Sequence, residues 1–110
     1  MRIKNEIWIA AGLRTPFAKA DKELNSFSAL DMSKEVLNKM KNQSTQLPNM
    51  VVWGSVVPTL KYSNLGREIV MDSDLPEETI GFSTVLACSS SLLAAIEAAS
   101  LINDARIAIV

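Results

Sequence analysis

Hydrophobic and polar positions change period several times along the chain, and the changes mark out seven elements. Ile7-Trp8-Ile9-Ala10-Ala11 is an unbroken apolar run closed by Gly12, the pattern of a strand covered on both faces. Residues 12–27 read as loop, with Thr15-Pro16 and the polar stretch Lys19-Ala20-Asp21-Lys22-Glu23. From Ser28 the period turns helical. Ala29, Met32, Val36, Leu37 and Met40 share a face, and Ser28 followed three residues later by Asp31 resembles a capping box. This helix is expected to fade in Lys41-Asn42-Gln43-Ser44.

Met50-Val51-Val52-Trp53-Gly54-Ser55-Val56-Val57, closed by Pro58, reads as a second strand. A second helix is expected from Asn64 to about Met71, ended by Asp72-Ser73-Asp74-Leu75-Pro76. Residues 80–86, rich in β-branched and aromatic side chains, form a third strand candidate. Residues 89–103 carry the strongest helical pattern. Its apolar positions leave only a narrow polar stripe of Ser90, Glu97, Ser100 and Asp104, the composition of a buried, central helix. Arg106-Ile107-Ala108-Ile109-Val110 opens a fourth strand.

The order β-α-β-α-β-α-β, with helices long enough for crossovers, predicts an α/β layered fold with a mainly parallel sheet. Trp8 and Trp53 fall inside strand patterns and are expected in the core. The chain stops inside an apolar strand, with no turn or polar tail after Val110. It is therefore expected to be one incomplete domain over residues 1–110, truncated after the fourth strand.

Composition excludes more than it suggests. At 48% hydrophobic and 21% charged, the chain is too apolar for a disordered tail. Eleven basic and twelve acidic residues, mixed along the sequence, argue against a nucleic-acid groove or a polybasic membrane patch. No apolar run approaches the roughly 20 residues that span a bilayer. The start, Met1-Arg2-Ile3-Lys4-Asn5-Glu6, has no signal-type core behind it, so a cytoplasmic location is the default. One cysteine rules out an internal disulfide, and the lack of histidine makes a self-contained metal site unexpected. It also removes the commonest general base near neutral pH. Any nucleophile here must be activated by the backbone or by residues outside this chain.

That limit bears on Thr84-Val85-Leu86-Ala87-Cys88-Ser89-Ser90-Ser91-Leu92-Leu93, which places Cys88 between a strand and a helix. Unpaired N–H groups and the macrodipole at a helix start favour negative charge, and so the nucleophilic thiolate form of a cysteine. The same N–H groups suit an oxyanion formed when a thioester carbonyl is attacked. Ala87 and the serines leave room for a substrate. Against this, a lone cysteine in an apolar stretch is more often an inert packing residue, and the serines equally suit a plain N-cap and first turn. Local chemistry leaves both readings open.

Ala10-Ala11-Gly12-Leu13-Arg14-Thr15-Pro16-Phe17 resembles the opening signature of the thiolases, and Cys88 follows about seventy residues later, where that family places its acyl-accepting cysteine. Asn64 and Arg67 match the family's Asn-x-x-Arg helix start, Val52-x-Gly54-x-Val56 its second strand, and Leu75-Pro76 a common approach to the third. Order and spacing together carry the resemblance. There are departures: Ser91 replaces the usual glycine, and Tyr62, Ser63 and Leu65 replace common Gly, Gln and Pro. Alanine-cysteine followed by three serines is closer to the ketosynthases, which share the fold.

The resemblance implies an amino-terminal thiolase half-domain and an acetyl-CoA C-acyltransferase in the full-length protein. Cys88 would accept an acyl group from a coenzyme A thioester and pass it to a second substrate. Acyl-CoA and acetyl-CoA are then substrates, and no cofactor is implied. The family's activating histidine and second cysteine lie in the carboxy-terminal half, so the isolated chain is expected to be inactive. Family members dimerise through the strand before the nucleophile, here residues 80–85, so the resemblance implies a homodimer or a dimer of dimers. Arg14 and Arg67 invite a reading as coenzyme A phosphate ligands, but loop arginines more often hold backbone carbonyls or carboxylates. The alternatives are a ketosynthase-type condensing enzyme and a non-catalytic thiolase-like dimerisation module.

Overall fold

Val51 and Val52 have no exposed surface, because the strand that carries them is flanked on both edges and covered on both faces. The computed structural model describes residues 6–103 and 106–110. Its elements are α1 (Ala29–Lys41), β1 (Met50–Gly54), α2 (Leu65–Met71), β2 (Ile80–Thr84), α3 (Ser90–Leu101) and β3 (Ala108–Ile109). The strands form one sheet of order β2-β1-β3, parallel throughout. Met50 to Gly54 align with Ile80 to Thr84, and Met50 and Val51 with Ala108 and Ile109.

Side chains alternate across the strand, so β1 feeds two cores. Val51 joins Leu30, Leu37, Leu65, Ile69, Val70, Leu75 and Ile109 on the side of α1 and α2. Met50 and Val52 pack against Ala94 and Ala98 of α3 on the other side. Trp53 lies half-buried against the first core, as its strand pattern implies. Two ion pairs tie α1 to the residues after α2: Lys34–Asp72 at 2.8 Å and Lys41–Asp74 at 3.3 Å. Surface pairs of this kind contribute about 0–1 kcal/mol each, so the apolar contacts hold α1 in place.

The capping box forms as the sequence implies. Ser28 N–H donates to Asp31 Oδ2 at 2.9 Å, and Asp31 N–H donates to Ser28 Oγ at 3.1 Å. Lys39 and Lys41 occupy the last turn, where cations suit the carboxyl end of a helix. The buried face of α1 is set by Leu30, Ser33 and Leu37. Met32 and Val36 instead line a cavity of about 280 Å³ with Thr15, Trp53, Val56 and Leu65.

Several expectations are corrected. Residues 7–11 form no strand; Trp8 is 80% and Ile9 94% exposed, so Trp8 is not a core residue. An apolar run becomes a strand only when its backbone groups find partners, and among the described residues this run pairs with none of the strands. The described sheet therefore has three strands, not four, and they are shorter than their apolar runs. β1 ends at Gly54, β2 at Thr84, and the last strand is confined to Ala108–Ile109. α3 is not a buried central helix. Ser90, Ala94 and Ala98 face the sheet, whereas Leu92 is 67% exposed and Ile96 and Leu101 are also exposed. The sheet lies on one side of α3, and among the described residues nothing covers the other. Asp104 of the expected polar stripe and residues 1–5 lie outside the described residues. No helix among the described residues is long and apolar enough to cross a membrane.

Candidate functional site

Cys88 lies on the short turn between the carboxyl end of β2 and the start of α3, and it is exposed. Ligands in open parallel sheets bind beyond the carboxyl ends of the strands, so the position is a favourable one. The turn is tight. Ser89 N–H donates to Leu86 C=O at 2.9 Å and Ser90 N–H to Ala87 C=O at 3.2 Å. Ala87, next to the cysteine, has φ 44, a left-handed conformation that disfavours any residue with a Cβ by on the order of 1 kcal/mol.

Ser90 pins this turn. Its Oγ accepts from Leu86 N–H at 2.8 Å and lies 2.9 Å from Ser55 C=O and 2.7 Å from Ala87 C=O, so one hydroxyl proton serves two carbonyls. The residue is 3% exposed. Ser55 directly follows β1, and its N–H donates to Thr84 C=O at 3.0 Å. The turn holding Cys88 is thus tied to the carboxyl ends of both neighbouring strands.

Gly54 makes this approach possible. A Cβ there would lie 2.6 Å from Ser91 N and 2.7 Å from the Ser90 carbonyl carbon, closer than side-chain carbons ever come. Only glycine admits the start of α3 to this distance. Ser89, the N-cap of α3, makes no side-chain capping hydrogen bond, so the first-turn N–H groups are not capped by it. Ser90 N–H already serves Ala87 C=O, so the donors left to suit a developing oxyanion are those of Ser91 and Leu92.

The opening Arg-Thr-Pro-Phe stretch reaches the same end of the sheet. Thr15 lines the cavity that Gly54 and Ser55 also border. Arg14 Nη1 donates to Thr15 C=O at 3.1 Å, and its guanidinium lies 5.0 Å from the centre of the Phe17 ring. Arg67 lies elsewhere. It donates to Thr79 C=O at 2.9 Å and Glu77 C=O at 3.4 Å, just before β2 begins, whereas Cys88 follows the end of that strand. At roughly 3.3 Å per residue, the strand's 5 residues separate them along its length. Both arginines hold backbone carbonyls, and Arg67 is not brought to Cys88.

Among the described residues, no group of three or more His, Cys, Asp or Glu side chains is placed to hold a metal ion. Sequence reasoning placed Ser90 in a plain first turn and missed its three-way bonding. The available signal was a serine facing the sheet at the start of an otherwise apolar helix, paired with a glycine at the end of the second strand. The left-handed Ala87 had no signal at all, since alanine is an ordinary helix former.

The chain matches the family described as thiolase, N-terminal domain, over residues 7–110. Among curated proteins, a 3-ketoacyl-CoA thiolase of Shewanella frigidimarina is 39% identical over 106 residues, covering 94% of this chain and 24% of that protein. Proteins of the same name from Shewanella sp. (strain ANA-3) and Shewanella baltica are each 38% identical over the same length. This chain thus spans about a quarter of the length of these relatives. No solved structure matches it. With its order of motifs, its parallel α/β architecture and a family match over nearly its whole length, the chain belongs to the thiolase family.

Proposed function

We propose that this chain supplies the acyl-accepting nucleophile, Cys88, of an enzyme that moves acyl groups between coenzyme A thioesters. The observation that carries the reading is an exposed thiol on a strained, tightly bonded turn at the carboxyl end of a parallel sheet. The relatives' name, 3-ketoacyl-CoA thiolase, supplies the substrate class. In the first step the Cys88 thiolate attacks the thioester carbonyl carbon of a simple acyl-CoA, or the 3-keto carbon of a 3-ketoacyl-CoA, and a new C–S bond forms. The old bond breaks: a simple acyl-CoA releases coenzyme A thiolate, and a 3-ketoacyl-CoA releases the acetyl-CoA carbanion, which takes a proton. A second substrate then removes the acyl group and regenerates the thiol. First-turn N–H groups of α3 are suited to the oxyanion of each tetrahedral intermediate. The chain has no histidine, so proton transfer falls to residues outside it.

In the full-length protein, iodoacetamide is expected to modify Cys88 quickly, and acetyl-CoA to protect it. Slow alkylation indifferent to acetyl-CoA would sink the enzymatic reading and favour a non-catalytic module. Preference for malonyl thioesters over acetoacetyl-CoA would point to a ketosynthase-type condensing enzyme. The isolated 110 residues are expected to show no thiolysis.

A further inference from the structure

We propose that Ser90 is the positioning residue for Cys88, its buried hydroxyl holding the turn that aims the thiol. The inference rests on Cys88 being the acyl acceptor. Ser90 Oγ reaches three backbone groups: Leu86 N–H and Ala87 C=O just before the cysteine, and Ser55 C=O on the neighbouring chain segment. Ala87 is held at φ 44, a conformation alanine does not choose unaided. Without the hydroxyl, Leu86 N–H and Ser55 C=O lose this partner, and Ala87 is free to relax towards negative φ. Such a change re-aims the Cα–Cβ bond of the next residue. Gly54 belongs to the same device, because its missing Cβ seats the Ser90–Ser91 backbone against β1. Ser90 does not touch the acyl group in this account; it acts through Cys88.

The test compares two reactions of one thiol in the full-length protein. Acyl transfer from acetyl-CoA needs an aimed sulfur, whereas alkylation by iodoacetamide needs only an accessible thiolate. In Ser90→Ala the maximal rate of Cys88 acylation is expected to fall roughly 10- to 100-fold, with the half-saturating acetyl-CoA concentration unchanged. Alkylation is expected to stay within about threefold of wild type, since exposure of the thiol is kept. Ser90→Thr, which retains the hydroxyl, is expected to recover most of the lost rate, and Gly54→Ala to reproduce the loss. A wild-type acylation rate in Ser90→Ala overturns the proposal, as does a parallel fall in both reactions. If circular dichroism shows that Ser90→Ala does not fold, Gly54→Ala decides, and a wild-type rate there overturns it. If acetyl-CoA fails to acylate the wild-type protein, the reading of Cys88 itself is wrong and the role of Ser90 falls with it.

Discussion

Gly66 sits so close to β2 that a Cβ on it would collide with the Phe82 carbonyl. Its N–H donates to Ser83 Oγ at 2.8 Å, Ser83 Oγ donates to Asn64 Oδ1 at 3.2 Å, and Asn64 Oδ1 caps Arg67 N–H at 3.1 Å. The Asn-x-x-Arg pattern is thus structural here: Asn64 starts α2, and Arg67 fastens the loop before β2. In Gly66→Ala two effects oppose. Alanine gains about 1 kcal/mol of helix propensity. The clash, with a backbone carbonyl fixed by the sheet, costs about 1–3 kcal/mol and is expected to win. A lower urea midpoint is the expected result, and an unchanged or higher one would show that α2 can shift without cost. At this scale the sequence was least legible, because Ser90, Gly54 and Gly66 act through distances that only the folded chain defines.

Among the elements, α1 shows how far local rules reach. Its capping box was visible as Ser28 and Asp31, and both reciprocal bonds are present. Ser28→Ala is expected to lower stability by about 1 kcal/mol. The bonds from the Ser28 hydroxyl and backbone hold the Asp31 carboxyl below its ordinary value of 3.8. A depressed native value means that the cap stabilises the fold above 3.8 and that this contribution is lost as pH falls through the lowered value. The stability difference between wild type and Ser28→Ala, followed by circular dichroism, should therefore be constant near neutrality and shrink in acid. Helices and central strands were legible because period and caps are local. Residues 7–11 were not, since an apolar run carries no information about which sheet edge is free. The exposed side of α3 was misjudged for the same reason: composition states what a face prefers, not what lies beside it.

At the scale of the molecule, no strand among the described residues covers the outer edge of β2, where Ile80 is exposed and Val85 and Leu86 beyond the strand are exposed too. Such an edge is a template for pairing with another strand. We expect two copies of the full-length protein to pair along it. Ile80→Lys puts a charge on that edge, which disfavours strand pairing, and is expected to convert dimer to monomer in analytical ultracentrifugation. An unchanged sedimentation coefficient would move the interface elsewhere. The site and this edge share β2, so whatever orders the strand from outside also steadies the turn that follows it.

The two tryptophans draw out one last consequence. Trp8 is 80% exposed and Trp53 half-buried, so the chain carries two indoles in unlike surroundings. Fluorescence from Trp8 belongs to a water-facing ring, open to quenching by iodide. Anything that covers residues 7–9, whether further polypeptide or a second copy, will move that emission to shorter wavelength and shield it. The segment that failed to become a strand is therefore a built-in optical gauge of the molecule's assembly, readable without a label.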